Sequence, residues 1–163
     1  MKIKSILTGL VIATALSLSG CSTTTSTYSS SSSSTTDADG NTTSTSTETV
    51  DGKTVTSYTK PLLFENESDV TFSEIYIKVS DNENYDDNLL DEDEVLEPGK
   101  VLKYGSFTFT DEDHLLDMQL VDEDGNVFDY YEYELLNVVD NKKVEFLFES
   151  VDDGGIKVTL LYE

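Results

Sequence analysis

"VTFSEIYIKVS", residues 70–80, decides the fold. Ile75, Ile77 and Val79 alternate with Glu74, Tyr76 and Lys78, which is the period of two of a half-buried strand. A helix would need apolar residues at three- and four-residue spacing, and that pattern does not persist here. Val70 and Phe72 fall on the opposite parity, so an extra residue near Ser73, a β-bulge, is predicted.

The same period recurs downstream. "LLDMQLV" sets Leu116, Met118 and Leu120 against Asp117, Gln119 and Val121. "KVEFLFESV" sets Val144, Phe146 and Phe148 against Glu145, Leu147 and Glu149, and "IKVTLLYE" alternates Ile156, Val158 and Leu160. "PLLFENES", "VLKYGSFTFT" after Pro98-Gly99, and the tyrosine-rich "VFDYYEYEL" complete the set. Asp/Gly/Asn turns separate these runs, with Gly125 of "DEDGN" needed for a positive φ. "YDDNLLDEDEVLE" is the only helical candidate, and its leucine spacing is poor for one. About seven strands over residues 61–163 predict an all-β fold, a single antiparallel β-sandwich.

Charge narrows the function. The chain carries 33 Asp plus Glu against 10 Lys and no Arg, for a net charge of −23. Such a surface repels phosphate backbones, which excludes nucleic-acid binding without a basic stripe, and it attracts cations and basic partners. One cysteine excludes an intrachain disulfide, and one histidine, His114, leaves no His-based catalytic relay beyond itself. Residues 61–163 contain 29 acids, so chance carboxylate pairs carry no signal of hydrolysis. No enzyme is predicted.

Upstream of the sandwich the composition changes twice. "MKIKSILTGLVIATALSLSGC" opens with Lys2 and Lys4, continues through a largely apolar 13-residue stretch from Ile6 to Leu18, and ends at Cys21. The stretch is shorter than the roughly 20 residues a membrane-spanning helix requires, and it suits a secretory signal. Leu18-Ser19-Gly20-Cys21 resembles the lipobox of bacterial lipoproteins, with all four positions matching. The resemblance implies a signal peptide over residues 1–20, diacylglyceryl transfer to the Cys21 sulfur, and palmitate-class acyl chains that hold the protein on a lipid bilayer. Two or three chains anchor stably where one does not. Ser22 follows the cysteine, and in lipoproteins of enteric type Asp at that position retains the protein in the inner membrane. The resemblance therefore favours the outer membrane or cell surface in a cell with two membranes.

From Ser22 to Thr36 every residue is Ser or Thr except Tyr28, and the bias runs on to Thr49. Such a tract buries too little apolar surface to offset its ordering entropy, so residues 21–60 are expected to form a disordered, low-complexity linker. As a flexible coil it would span about 35 Å. Val50 and Val55 flank Asp51-Gly52 in "TVDGKTVTSYT", a signal for a short hairpin or for the first strand of the domain.

The later segments are also similar to small secreted bacterial β-sandwich domains of unknown function. The likeness rests on Ile75-Tyr76-Ile77, Asn88-Leu89-Leu90, Leu96-Glu97-Pro98-Gly99 and the run from Val121 to Asn126. It implies the sandwich and no activity.

Two stretches are candidate ligand sites. "DNENYDDNLLDEDEVLE", residues 81–97, holds nine acids in 17 residues. Calcium takes six to eight oxygen ligands, and Asp81, Asp86, Asp87, Asp91 and Asp93 are the candidates, although no EF-hand spacing is present. Tyr130, Tyr131 and Tyr133 could stack on sugar rings, but regular alternation puts Tyr131 and Tyr133 on one face and Tyr130 on the other, which strand packing explains better. The expected role is a binding or structural module of the cell envelope. Its expected partner is an envelope or extracellular protein with a basic surface, with calcium and then carbohydrate as alternatives.

Overall fold

Two β-sheets face each other across a core of phenylalanine and aliphatic side chains. The structure is a computed structural model and describes residues 27–36, 42–140, 143–152 and 154–163, so Cys21 and the lipobox lie outside the described residues. The strands are β1 (Tyr28–Thr36), β2 (Thr42–Val50), β3 (Lys53–Asn66), β4 (Phe72–Val79), β5 (Lys100–Thr110), β6 (Leu115–Asp122), β7 (Val127–Glu134), β8 (Val144–Ser150) and β9 (Ile156–Tyr162). The only helical element among the described residues is a short 3₁₀ turn, Leu136–Val138. The all-β sandwich expected from the strand periods is what forms.

β3 organises the larger sheet. Its first half pairs with β2, its last four residues pair with β8 on that same flank, and β5 runs along its other flank. The order is β1-β2-β3-β8-β9 with β5 beside β3, while the smaller sheet is β4-β6-β7. Pro61 sits in mid-strand, a position usually closed to proline. It is accommodated at an irregularity in the ladder, where the register jumps between Lys60↔Phe107 and Leu62↔Tyr104. The expectation of a wholly antiparallel sandwich is corrected here, because β3 and β8 pair in parallel. Parallel neighbours require a long crossover, and the chain between β3 and β8, which carries the smaller sheet and β5, provides it.

Alternation fills the core. Ile75, Ile77, Leu116, Met118 and Leu120 of the smaller sheet and Phe64, Phe146 and Phe148 of the larger are completely buried. The Phe64 and Phe146 rings stack with centroids 5.4 Å apart, and Phe72 meets Phe148 edge-on at 5.5 Å. The predicted bulge is present, with the β4–β6 register shifting between Phe72 and Glu74. This shift lets Phe72 and Ile75 both point inward despite their opposite parity.

The linker expected to be disordered over residues 21–60 is corrected where it is described, at residues 27–36 and 42–60. Residues 28–36 and 42–50 form β1 and β2, and the hairpin expected around Asp51-Gly52 joins β2 to β3, with φ of 51° and 83° at the two turn residues. Burial does not hold this ribbon, since β1 is exposed along its whole length. The first half of β3 projects beyond its pairing with β8 and offers a backbone edge, which β2 and then β1 extend. β-branched threonines suit such a ladder. Hydroxyl pairs cross it, Thr49 to Thr54 at 2.9 Å and Thr36 to Thr42 at 3.1 Å.

The Asp122–Asn126 turn closes the β6–β7 hairpin. The Asp122 carboxylate accepts from the Asn126 and Asp124 N–H groups at 2.8 and 3.0 Å and from the Asn126 amide at 2.7 Å. Gly125 has the expected positive φ, 81°. The Asn126 side-chain bond, with the backbone donors after it, holds the Asp122 carboxyl below its usual range. A depressed folded pKa gives stability that is full above the unfolded value and is lost as pH falls through the folded one. Amide protection factors in this hairpin, corrected for the intrinsic pH dependence of exchange, are therefore expected to fall on acidification, and Asp122→Asn is expected to flatten that acid limb. An unchanged limb in the variant would show that another group governs it.

Candidate interaction site

The sandwich has two lateral seams, and each is closed by a different device. At one seam β7 lies against β9, where the Tyr130 hydroxyl donates to the Ile156 carbonyl at 2.5 Å and the Tyr133 hydroxyl to the Val158 carbonyl at 3.2 Å. Burial pushes both phenols up to about 12, so they remain donors at any physiological pH. The Tyr133 ring also meets Phe146 edge-on at 5.4 Å. These two phenols latch the sheets and occupy carbonyls on the outer flank of β9, which would otherwise be an open strand edge. Tyr130→Phe and Tyr133→Phe are each expected to cost about 1 kcal/mol in denaturant unfolding, because each leaves a carbonyl without its donor. Losses near zero for both would mean that packing alone closes the seam.

Regular alternation had placed Tyr130 and Tyr133 on opposite faces, and the structure corrects this. Leu116 pairs with Tyr133 and Met118 with Tyr130, so Tyr131 and Glu132 bulge opposite Asp117. Glu132 adopts a positive φ of 62°, unusual for a non-glycine residue. Its N–H donates at 3.0 Å to Asp117, a buried carboxylate that also accepts from Ser80 at 2.5 Å. Of the three tyrosines only Tyr131 is exposed. The candidate sugar-stacking cluster is thus divided between the core and the outer face.

The acidic segment 81–97 fills the other seam, between β4 and β5. It hydrogen-bonds the free edge of β4 like an irregular fourth strand. The Asp86 N–H donates to the Ile77 carbonyl at 3.0 Å and the Leu89 N–H to the Ile75 carbonyl at 2.9 Å. The Ile75 N–H donates to the Asn88 side chain at 2.9 Å, and Phe72 and Leu96 exchange backbone bonds of 3.2 and 2.8 Å. Leu90 and Leu96 insert into the core beneath. The strap is pinned at its far end by Asn66, which is fully buried and donates to the Leu96 and Val70 carbonyls at 2.9 and 2.8 Å.

The five candidate calcium ligands lie along this strap and are all exposed. Asp86 and Asp87 are adjacent, and partial desolvation together with the Asp87 charge raises the Asp86 carboxyl above its usual range. Asp81 lies near Asp113 and His114, at a small 50 Å³ cavity. Asp91 and Asp93 belong to the distal turn, where Asp93 has a φ of 72°. Among the described residues no group of three His, Cys, Asp or Glu side chains is placed to hold a metal ion. His114 is partly buried, its Nε2 3.5 Å from the Glu134 carboxylate and its Nδ1 enclosed without a hydrogen-bond partner.

Between the strap and β5 runs a groove of about 600 Å³, which the sequence did not announce. Leu90, Leu96 and Leu102 line it, with Val95 and Val101 exposed at its margins. Asp91, Glu94 and Glu97 stand on the strap side and Lys100 and Lys103 on the β5 side.

No protein-family model matches the chain, and no curated protein matches it in sequence. Among solved structures it is similar to a protein from Eubacterium rectale determined by NMR, at 14% identity and a TM-score of 0.43. The match covers 63% of this chain and 87% of that one.

Proposed function

We propose that the chain is a bacterial envelope lipoprotein, anchored through acylated Cys21, that presents its acidic sandwich as a binding module to a partner with a basic surface. The observation that carries the anchor is the junction Leu18-Ser19-Gly20-Cys21, which closes a short apolar stretch preceded by two lysines. Two features support the binding role. The net charge of −23 selects basic partners by long-range attraction. The acids of the strap project to solvent from a backbone fixed to the β4 edge, so they form a preorganised surface.

Metabolic labelling with an alkyne analogue of palmitate tests the anchor. The full chain expressed in a lipoprotein-processing bacterium is expected to take up label and fractionate with membranes. Cys21→Ser is expected to abolish the label and leave the chain at the size of the unprocessed precursor. Label retained in Cys21→Ser, or absent from the parent chain, would refute the anchor.

A further inference from the structure

We infer that the groove between the acidic strap and β5 receives an extended segment of a basic partner protein, which adds to the sheet as a strand beside β5. This rests on the reading of the domain as a binding module for a basic partner and specifies where and how that partner sits.

Three independent features meet in the groove. The first is an open edge. β5 pairs with β3 on one side, and among the described residues no strand pairs with its other side. The two flanking edges of the sandwich are treated differently, since β4 is covered by the strap backbone and β9 by the tyrosine hydroxyls. The N–H and C=O groups along an open edge bind an extended chain through its main chain, whatever its sequence.

The second feature is apolar. Val101 is 46% exposed and Val95 38%, and they flank the leucine-lined floor. In an added strand alternate side chains face the same way, so every second residue can enter the groove if it is aliphatic. The third is charge. Asp91, Glu94 and Glu97 line the wall away from β5, within reach of long basic side chains. A second copy of this chain, itself at −23, is a poor occupant. Lys100 and Lys103 stand on the opposite, β5 wall, so the basic side chains of an added segment are directed to the acidic strap wall, and lysines on an edge strand disfavour uncontrolled pairing. The segment that fits is therefore extended, alternately aliphatic, and lysine- or arginine-bearing.

Amide chemical-shift mapping on the full chain tests this, with short synthetic peptides as probes. An alternating lysine–valine peptide is expected to shift the amides of residues 95–104, and an alternating glutamate–valine peptide is expected to leave them unmoved. Val101→Lys and Val95→Lys, both at exposed positions, are each expected to weaken the lysine–valine peptide about tenfold. Val127→Lys, an equal charge change at an exposed valine of β7, is expected to leave binding unchanged. Shifts that map elsewhere, with Val101→Lys and Val127→Lys behaving alike, would overturn the groove while leaving the basic-partner reading in place. The absence of shifts with the lysine peptide would overturn the groove and count against the basic-partner reading.

Discussion

Asn66→Ala is expected to lower the unfolding free energy by about 3–5 kcal/mol, measured by chemical denaturation, although it removes only a few atoms. Asn66 donates to the Val70 and Leu96 carbonyls and accepts from the Ser68 N–H at 3.1 Å and the Ser68 hydroxyl at 2.6 Å. From the end of β3 its side chain therefore bonds four groups in two other segments, the turn that follows and the base of the strap. Alanine would leave the Ser68 N–H with no partner, at about 1–3 kcal/mol if water cannot reach it, and would remove three further bonds at about 0.5–1.5 kcal/mol each, although the Leu96 carbonyl keeps the Phe72 N–H and the Val70 carbonyl keeps the Ser68 hydroxyl. Ser68→Ala, which removes only the serine hydroxyl from this set, serves as the mild comparison at about 1 kcal/mol. A loss below that of Ser68→Ala would show that water enters the site and replaces the amide.

The second large effect is expected at Phe64. Its ring is fully buried, stacked on Phe146 and tilted against Phe148 at 6.3 Å, at the point where β3 turns from its antiparallel to its parallel partner. Phe64→Ala is expected to cost about 3–5 kcal/mol, the transfer of the ring plus the cavity left in a rigid aromatic cluster. Phe64→Leu keeps most of the apolar volume and is expected to cost markedly less. Similar losses for the two would mean that ring stacking rather than volume carries the effect. Against a typical total of about 5–15 kcal/mol, either alanine variant brings the domain near its limit.

The features readable in advance were those written in local pattern. The parity flip between Phe72 and Ile75 announced the β4 bulge, and Gly125 announced its turn, because each is set by a residue and its immediate neighbours. The second bulge was hidden. Nothing in "FDYYEYE" marks Tyr131 and Glu132 as the extra pair; the cause is Asp117 on the neighbouring strand, whose carboxylate holds the Glu132 N–H. The role of residues 81–97 was hidden for a similar reason. Their acids drew the reading toward a cation, whereas the strap is held by backbone groups and by Asn88, which composition does not reveal. β1 and β2 were missed because serine and threonine on both faces give no alternation to detect. The groove required knowing that the strap comes to lie beside β5.

The composition of the β1–β2 ribbon has a consequence for its register. Apart from Tyr28, opposite Val50, the pairs from Ser29↔Thr49 to Thr36↔Thr42 are almost all hydroxyl against hydroxyl. Register in a sheet is normally fixed by the penalty for moving apolar side chains to the wrong face. Here a slide of two residues exchanges one hydroxyl for another and lets the ladder re-form, at the loss of the tyrosine–valine pair and some terminal bonds. Each such step displaces β1 along β2 by about 7 Å. The side chains of this ribbon thus specify its register only weakly, and neighbouring registers lie close in free energy while the sandwich it adjoins has its register fixed by burial.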